Sequence, residues 1–232
     1  MPRPTPPTAT CDPLPAAAPG DPDTAVLHLR AGKARANAAF DALLPEALRV
    51  VADDYWTPTP VVRRVAAWLR AEGAETVVDI GSGPGKFAVA LALLSEGRVV
   101  GLEQRHALVV EARALAGRCG VADRVSFIHG AFGQVPTPPA DAYYLFNPFG
   151  EYSFDAPEYA DDEVTDTRQA RRRDGEALVR FLAAAPVGTR VVTYNGIGRR
   201  LPRCYEQVRV DVSFRGALRL WRKRATARRR PA

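Results

Sequence analysis

The chain has 232 residues, of which 47% are hydrophobic and 25% charged, with a formal net charge of +6. That is the composition of an ordinary globular protein, long enough for one domain with short additions. No run approaches the length of an apolar membrane span, and the N-terminus lacks the basic-then-apolar layout of a signal peptide. The three scattered cysteines (Cys11, Cys119, Cys204) and three isolated histidines (His28, His106, His129) argue against a disulfide framework and a metal cluster, and for a reducing cytoplasm. The positive charge taken whole points to nucleic acid. Its distribution does not: residues 212–232 hold eight Lys/Arg and no acid, so the rest of the chain carries −2.

Taken in order, residues 1–23 are rich in Pro, Ala and Thr without periodic apolar positions and read as a disordered tail. Residues 24–54 keep helical spacing through Val26, Leu29, Phe40, Leu44 and Leu48, with Pro45 as a break or a new start. Thr59 is placed to cap a helix with Pro60 at its first position, and Val61, Val62, Val65, Ala66, Trp68 and Leu69 form its buried face. Together 24–74 make a helical extension. From residue 75 strands and helices alternate. The strands are Thr76–Ile80, Val99–Glu103, Val125–His129, Asp141–Phe146 and Thr189–Tyr194. The helices are Lys86–Ser95, His106–Arg118 and Thr167–Ala185. A terminal strand pair, Val208–Val212 and Ala217–Trp221, closes the series. This pattern predicts an α/β fold, a doubly wound and mostly parallel sheet with an antiparallel terminal hairpin. Residues 222–232 are then a basic C-terminal tail.

The segment that carries chemistry is Val77-Val78-Asp79-Ile80-Gly81-Ser82-Gly83-Pro84-Gly85-Lys86-Phe87: a buried strand, alternating glycines, then a helix. A phosphate-binding loop needs GxxxxGK(S/T), but Phe87 stands where the hydroxyl should be. A dinucleotide fingerprint needs GxGxxG, but the third glycine comes one position early. Asp79, at the strand end, suits a ligand with a cationic group rather than a pyrophosphate. S-adenosylmethionine carries both an ammonium and a sulfonium. Glu103 ends the next strand, 24 residues on, where a carboxylate can accept both hydroxyls of a ribose.

VVDIGSGPGKFAVALAL and VVGLEQ resemble motif I and the following acidic strand of class I S-adenosylmethionine-dependent methyltransferases. The resemblance spans about residues 55–221 and is most specific in its first half. It implies a seven-stranded sheet with a reversed last strand, and S-adenosylmethionine as cofactor. On that pattern Asp79 and Gly81 contact the methionine end. Ser82 belongs to the same turn, and Gly83 and Gly85 give the cofactor room. Glu103 holds the ribose and Gln104 borders the adenine. Where the family commonly has an acid facing the adenine amino group, this chain has Ala131, so Gly130, Ala131 and Phe132 are left to frame the base. His129 reads either as a base or as a polar strand end. Tyr55-Trp56-Thr57-Pro58 resembles the segment that lids the cofactor in some of these enzymes, which adds Tyr55 and Thr57 to the cofactor set; packed aromatics at a helix start explain it equally well.

Asn147-Pro148-Phe149 follows the fourth strand and resembles the (D/N)PP(Y/F) motif of amino-methylating enzymes, with one proline missing. The resemblance implies that Asn147 orients the target and also touches the cofactor, while Phe149 stacks on a planar substrate; a strand-ending turn is the plainer alternative. Tyr152 would add a further wall. Residues 150–166 hold seven acids, favouring a cationic or small substrate if they cover the site, or forming a solvated loop that faces Arg171–Arg173. The resulting expectation is in-line methyl transfer to N or O, with a small-molecule substrate favoured. RNA, reached through the C-terminal arginines, is one alternative. A protein lysine and a non-catalytic S-adenosylmethionine-binding module are others. A nicotinamide oxidoreductase is disfavoured by the glycine spacing.

Overall fold

The computed structural model describes residues 20–146, 148, 168–197 and 199–225. The leader 1–19, Asn147, Phe149, Tyr152, the acidic stretch 150–166 and the arginines beyond 225 lie outside the described residues. Residues 24–54 hold four short helices, with a new start after Pro45 as expected and further breaks at Gly32 and Val51. Asp21, inside the stretch expected to be disordered, caps α1 (Pro22–Ala31) by accepting from the Asp23 and Thr24 amides. Gly32 ends that helix with φ +65°, the left-handed conformation that glycine adopts at least cost. α2 (Ala36–Asp41), α3 (Glu46–Val50, after Pro45) and α4 (Ala52–Tyr55) follow. Their apolar residues, Leu29, Phe40, Leu43 and Leu48, are fully buried.

The long helix α5 (Thr59–Ala71) buries the face expected of it. Its start differs from expectation: Thr59 is already helical, and the cap is Pro58, which has no side-chain group to bond the first turn. The Thr59 amide donates instead to Asn37 Oδ1 at 3.0 Å, a partner 22 positions away that local pattern cannot reveal.

The sheet comprises β1 (Thr76–Ile80), β2 (Arg98–Glu103), β3 (Val125–His129), β4 (Ala142–Phe146), β5 (Arg190–Tyr194), β6 (Tyr205–Asp211) and β7 (Leu218–Lys223). Their order is β3-β2-β1-β4-β5-β7-β6. β1 to β5 run parallel, β7 is antiparallel to β5, and β6 pairs antiparallel to β7. This is the expected α/β fold with a doubly wound, seven-stranded sheet and a reversed terminal pair. The chain leaves β1 toward β2 on one side and returns to β4 on the other. The carboxyl ends of β1 and β4 therefore flank a topological switch point, where open α/β sheets bind ligands.

Alternation within strands divides the core. Val77, Ala142, Tyr144 and Val192 face the larger cluster with α5, α6 (Lys86–Leu94) and α7 (His106–Arg118). Val78, Ile80, Tyr143, Leu145 and Val191 face a second cluster with Leu178 and Leu182 of α8 (Arg168–Ala184). β7 extends two residues past its expected end, so Arg222 and Lys223 belong to the sheet rather than to the tail. Lys223 Nζ reaches the carbonyls of Leu182, Ala183 and Ala185, which are the orphan acceptors at the end of α8.

Asp141, just before β4, fastens that strand to β1. Its Oδ2 accepts from the Glu75 amide (3.0 Å), the Thr76 amide (2.9 Å) and Thr76 Oγ1 (2.8 Å). Burial pushes its carboxyl pKa up, but these hydrogen bonds and Arg190 outweigh burial and hold it below the usual value. No helix among the described residues is long and apolar enough to cross a membrane.

Candidate functional site

The glycine turn joins β1 to α6, and its three glycines all take left-handed backbone: Gly81 (φ 79°), Gly83 (φ 54°) and Gly85 (φ 80°). A Cβ on Gly83 would lie 2.7 Å from the Trp56 ring, and one on Gly85 would meet Phe127 and Ala112. Both positions demand glycine twice over, by conformation and by space.

The amide groups of the turn are turned inward. Gly81 and Ser82 donate to the Leu102 carbonyl at 2.9 and 3.1 Å, and Gly85 donates to the Ser82 carbonyl at 3.0 Å. Gly83 donates to Glu103 Oε2 at 2.9 Å. Pro84 has no amide hydrogen. The loop therefore offers no cradle of free N–H groups to a pyrophosphate. Lys86 does not supply the missing positive charge either: its Nζ pairs with Asp41 at 2.5 Å and donates to Asn37 Oδ1 at 3.0 Å, and the side chain is only 2% exposed. What remains at this edge is two buried carboxylates, Asp79 and Glu103, which fits a ligand with cationic and hydroxyl groups.

Glu103 also braces the site. Its Oε1 accepts from the Arg105 amide at 2.9 Å, so each carboxylate oxygen is held by a backbone donor. The Glu103 carbonyl accepts from Gly130 at 2.9 Å, drawing the end of β3 alongside. Gln104 is half-buried, and its carbonyl lies 3.0 Å from His129 Nε2. The His129 ring meets His106 edge-on at 5.2 Å. His129 is thus occupied as a strand-end partner. Ser82 Oγ is buried without a hydrogen-bond partner, an orphaned polar atom in the middle of the turn.

Thr57 is buried, and its Oγ1 lies 2.8 Å from Tyr144 OH. The Tyr144 ring stacks on Phe87 at 3.6 Å and 7°. Burial drives the Tyr144 phenol well above its ordinary pKa, with Thr57 opposing and the Asp79 charge adding to the rise. Tyr144 is therefore a neutral hydroxyl beside Thr57 and within reach of the Asp79 charge, and the alternation of β4 alone marked it only as core. Tyr55 is half-buried against the larger cluster, tilted 6.0 Å from Trp56.

The structure brings Asp79, Gly81, Ser82, Gly83, Gly85, Glu103, Gln104, Gly130 and Thr57 to one edge of the sheet. Phe132 is different: its ring packs edge-on against Phe181 of α8 at 5.5 Å, so it is committed in part to the second core. Ala131 is half-buried beside it, and Pro148 is buried at the end of β4.

The family profile described as "Methyltransferase domain" matches residues 59–181, just over half of the chain. A curated relative, the type II methyltransferase M.XamI of Xanthomonas campestris pv. amaranthicola, is 32% identical over 137 residues; the match covers 58% of this chain and 26% of that protein. The chain thus spans about a quarter of that relative's length. Among solved structures, an RNA methyltransferase from Salinibacter ruber in complex with S-adenosyl-L-homocysteine is similar at TM-score 0.53 and 23% identity, covering 75% of this chain and 97% of that one. The O-methyltransferase TomG from Streptomyces achromogenes, in complex with its methyl donor, is similar at TM-score 0.51 and 18% identity, covering 82% and 96%. Those two likenesses show the fold, and the family profile, lying across the glycine turn and the strands that frame it, shows the lineage. The chain belongs to the class I S-adenosylmethionine-dependent methyltransferases.

Proposed function

We propose that this enzyme transfers a methyl group to a nitrogen or oxygen nucleophile of a small-molecule substrate in the cytoplasm. The observation that carries the cofactor assignment is the inward-turned glycine loop beside two buried carboxylates, Asp79 and Glu103. Such an edge repels a pyrophosphate and attracts an ammonium and a ribose diol.

When bound, S-adenosylmethionine supplies an electrophilic methyl group on a sulfonium. In this reading Asp79 holds the amino group of the methionine end, Gly81 and Ser82 line it, and Ser82 Oγ gains a partner. Gly83 and Gly85 keep the space clear. Glu103 takes the ribose hydroxyls, and Gln104, Gly130, Ala131 and Phe132 surround the base. Tyr55 and Thr57 cover the cofactor, with Thr57 steadied by Tyr144. Asn147, with Pro148 and Phe149, orients the nucleophile so that its lone pair lines up with the carbon–sulfur bond that breaks; the nucleophile's proton leaves to water. Orientation and exclusion of water are the main contributions such a site makes.

Asp79→Ala tests the assignment. Calorimetric titration with S-adenosylhomocysteine should show at least a 30-fold loss of affinity, since removing a charge-assisted partner of a buried ammonium costs about 2 kcal/mol or more. Unchanged binding overturns it. A second reading, a nucleic-acid substrate, is favoured by the arginines beyond β5.

A further inference from the structure

The carboxyl end of β5 opens on a concavity that the cofactor turn does not use. β5 stops at Tyr194, and Asn195 (φ 61°) and Gly196 (φ 80°) both take left-handed backbone, which asparagine and glycine tolerate best. The chain reverses there into residues 197–204. That segment brings Arg199, Arg200 and Arg203 around Arg219 of β7, enclosing about 390 Å3 with Thr193, Tyr205 and Trp221 among the other walls. The two aromatic walls are fixed: Trp221 Nε1 donates to Thr193 Oγ1 at 3.1 Å, and Tyr205 OH donates to the Leu182 carbonyl at 3.2 Å.

The positive charge here is not balanced. Arg199 is partly spent on α8, donating to the Arg172 carbonyl at 3.2 Å and lying 4.0 Å from the Glu176 carboxylate. Glu206, the acid nearest in sequence, pairs with Arg224 at 3.5 Å, and Asp211 pairs with Arg64 at 3.0 Å. Among the described residues Arg200, Arg203 and Arg219 meet no carboxylate within ion-pair distance. Residues 199–225 hold nine Arg/Lys against two acids.

We propose that this cavity binds the phosphate of a nucleotide unit, with Arg200, Arg203 and Arg219 on the phosphate and Trp221 beside the sugar and base. Guanidinium forks match phosphate oxygens in pairs, and an aromatic wall accepts any base face. The volume falls within the span of clefts that hold small ligands, roughly 300–1,000 Å3. The cavity runs along the α8 side of the sheet, from the carboxyl end of β5, where Thr193 is level with Arg219, toward the start of β6, where Tyr205 pairs with Lys223. The inference rests on the methyltransferase reading only in treating this ligand as substrate.

The test is fluorescence anisotropy of the full chain with a labelled ten-nucleotide single-stranded RNA, without cofactor, at several salt concentrations. The pocket variant R200Q/R203Q/R219Q should bind at least tenfold more weakly. Its slope of log affinity against log salt should be shallower by about 2, three contacts at roughly 0.7 each. The variant R228Q/R229Q/R230Q separates the C-terminal arginines: it should keep competition by adenosine monophosphate, which the pocket variant should lose. Adenosine monophosphate binding that depends on the pocket arginines, with no tighter RNA binding, identifies a free nucleotide as the source and keeps the phosphate assignment. Equal binding by native and pocket-variant protein, or no binding of either probe, overturns it. S-adenosylhomocysteine titration of the same samples reads the cofactor assignment separately.

Discussion

Replacing Lys86 by Met should unsettle the protein more than any single surface charge, and in a way that depends on pH. Lys86 begins α6 immediately after Gly85, and its ammonium is buried against Asp41 at 2.5 Å. Without it the Asp41 carboxylate is left with the hydrogen bond from Asn37 Nδ2 at 2.9 Å. Removing one partner of a buried pair costs about 3–5 kcal/mol, against a total stability of roughly 5–15 kcal/mol. At 2–4 °C per kcal/mol for a chain of this size, the melting temperature should fall by roughly 6–20 °C. Burial already raises the Asp41 pKa, with Lys86 holding it down; Met removes the restraint and the pKa climbs further. A carboxyl whose folded pKa is raised favours the native state below its unfolded value and loses that contribution as pH rises to the folded value. The K86M deficit should therefore be largest at pH 7–8 and shrink toward pH 5. D41N/K86M, which leaves no charge to bury, should recover most of the loss. Thermal denaturation followed by circular dichroism at pH 5 and 8 reads all of this. An equal deficit at both pH values with no recovery from D41N would refute the buried-pair account.

Two smaller predictions bear on the frame around the site. Asp141→Ala removes an acceptor with three donors and should cost about 2–3 kcal/mol, judged by the 1.5–3 kcal/mol typical of hydrogen bonds to a charged group. Because its folded pKa is depressed, native Asp141 contributes above the unfolded carboxyl value of about 3.9 and loses that contribution as pH falls through its folded value. The difference between native and D141A protein in urea melts should accordingly narrow below pH 4, and a constant difference would sink the idea. Gly83→Ala forces an L-residue into φ 54° and drives a methyl into the Trp56 ring at 2.7 Å. About 1 kcal/mol of backbone strain and 1–3 of overpacking are expected, with at least tenfold weaker S-adenosylhomocysteine binding and a shifted Trp emission; an unperturbed emission spectrum would contradict the packing described.

The strands were legible to within one to three residues because alternation and β-branched runs such as Thr76–Ile80 are local signals, and Gly81–Gly85 is a turn for reasons each glycine carries itself. The parallel, doubly wound character of the sheet followed from the βαβ series, and its strand order did not. What the chain hid is non-local. Pro45 marked one helix start within 24–54, while the breaks at Gly32 and Val51 escaped because helical periodicity runs across them. Thr59 resembled a cap, yet its amide is satisfied by Asn37. Lys86 resembled a phosphate-loop lysine in spelling and serves Asp41, 45 positions earlier. Tyr144 lay within a core strand, and only the fold sets its hydroxyl against Thr57. The arginines at 199–219 carried no local pattern, and only the fold gathers Arg199, Arg200, Arg203 and Arg219 around one cavity.

The terminal strands also constrain the order in which the sheet can be finished. β7 lies between β5 and β6, and Lys223 at its end closes the last carbonyls of α8. Before β7 docks, β6 has no partner, β5 keeps an open edge, and α8 an open end. All three defects are resolved by the same six residues, Leu218–Lys223. Until they arrive, two unpaired strand edges are exposed together, the condition under which chains pair with one another instead of with themselves.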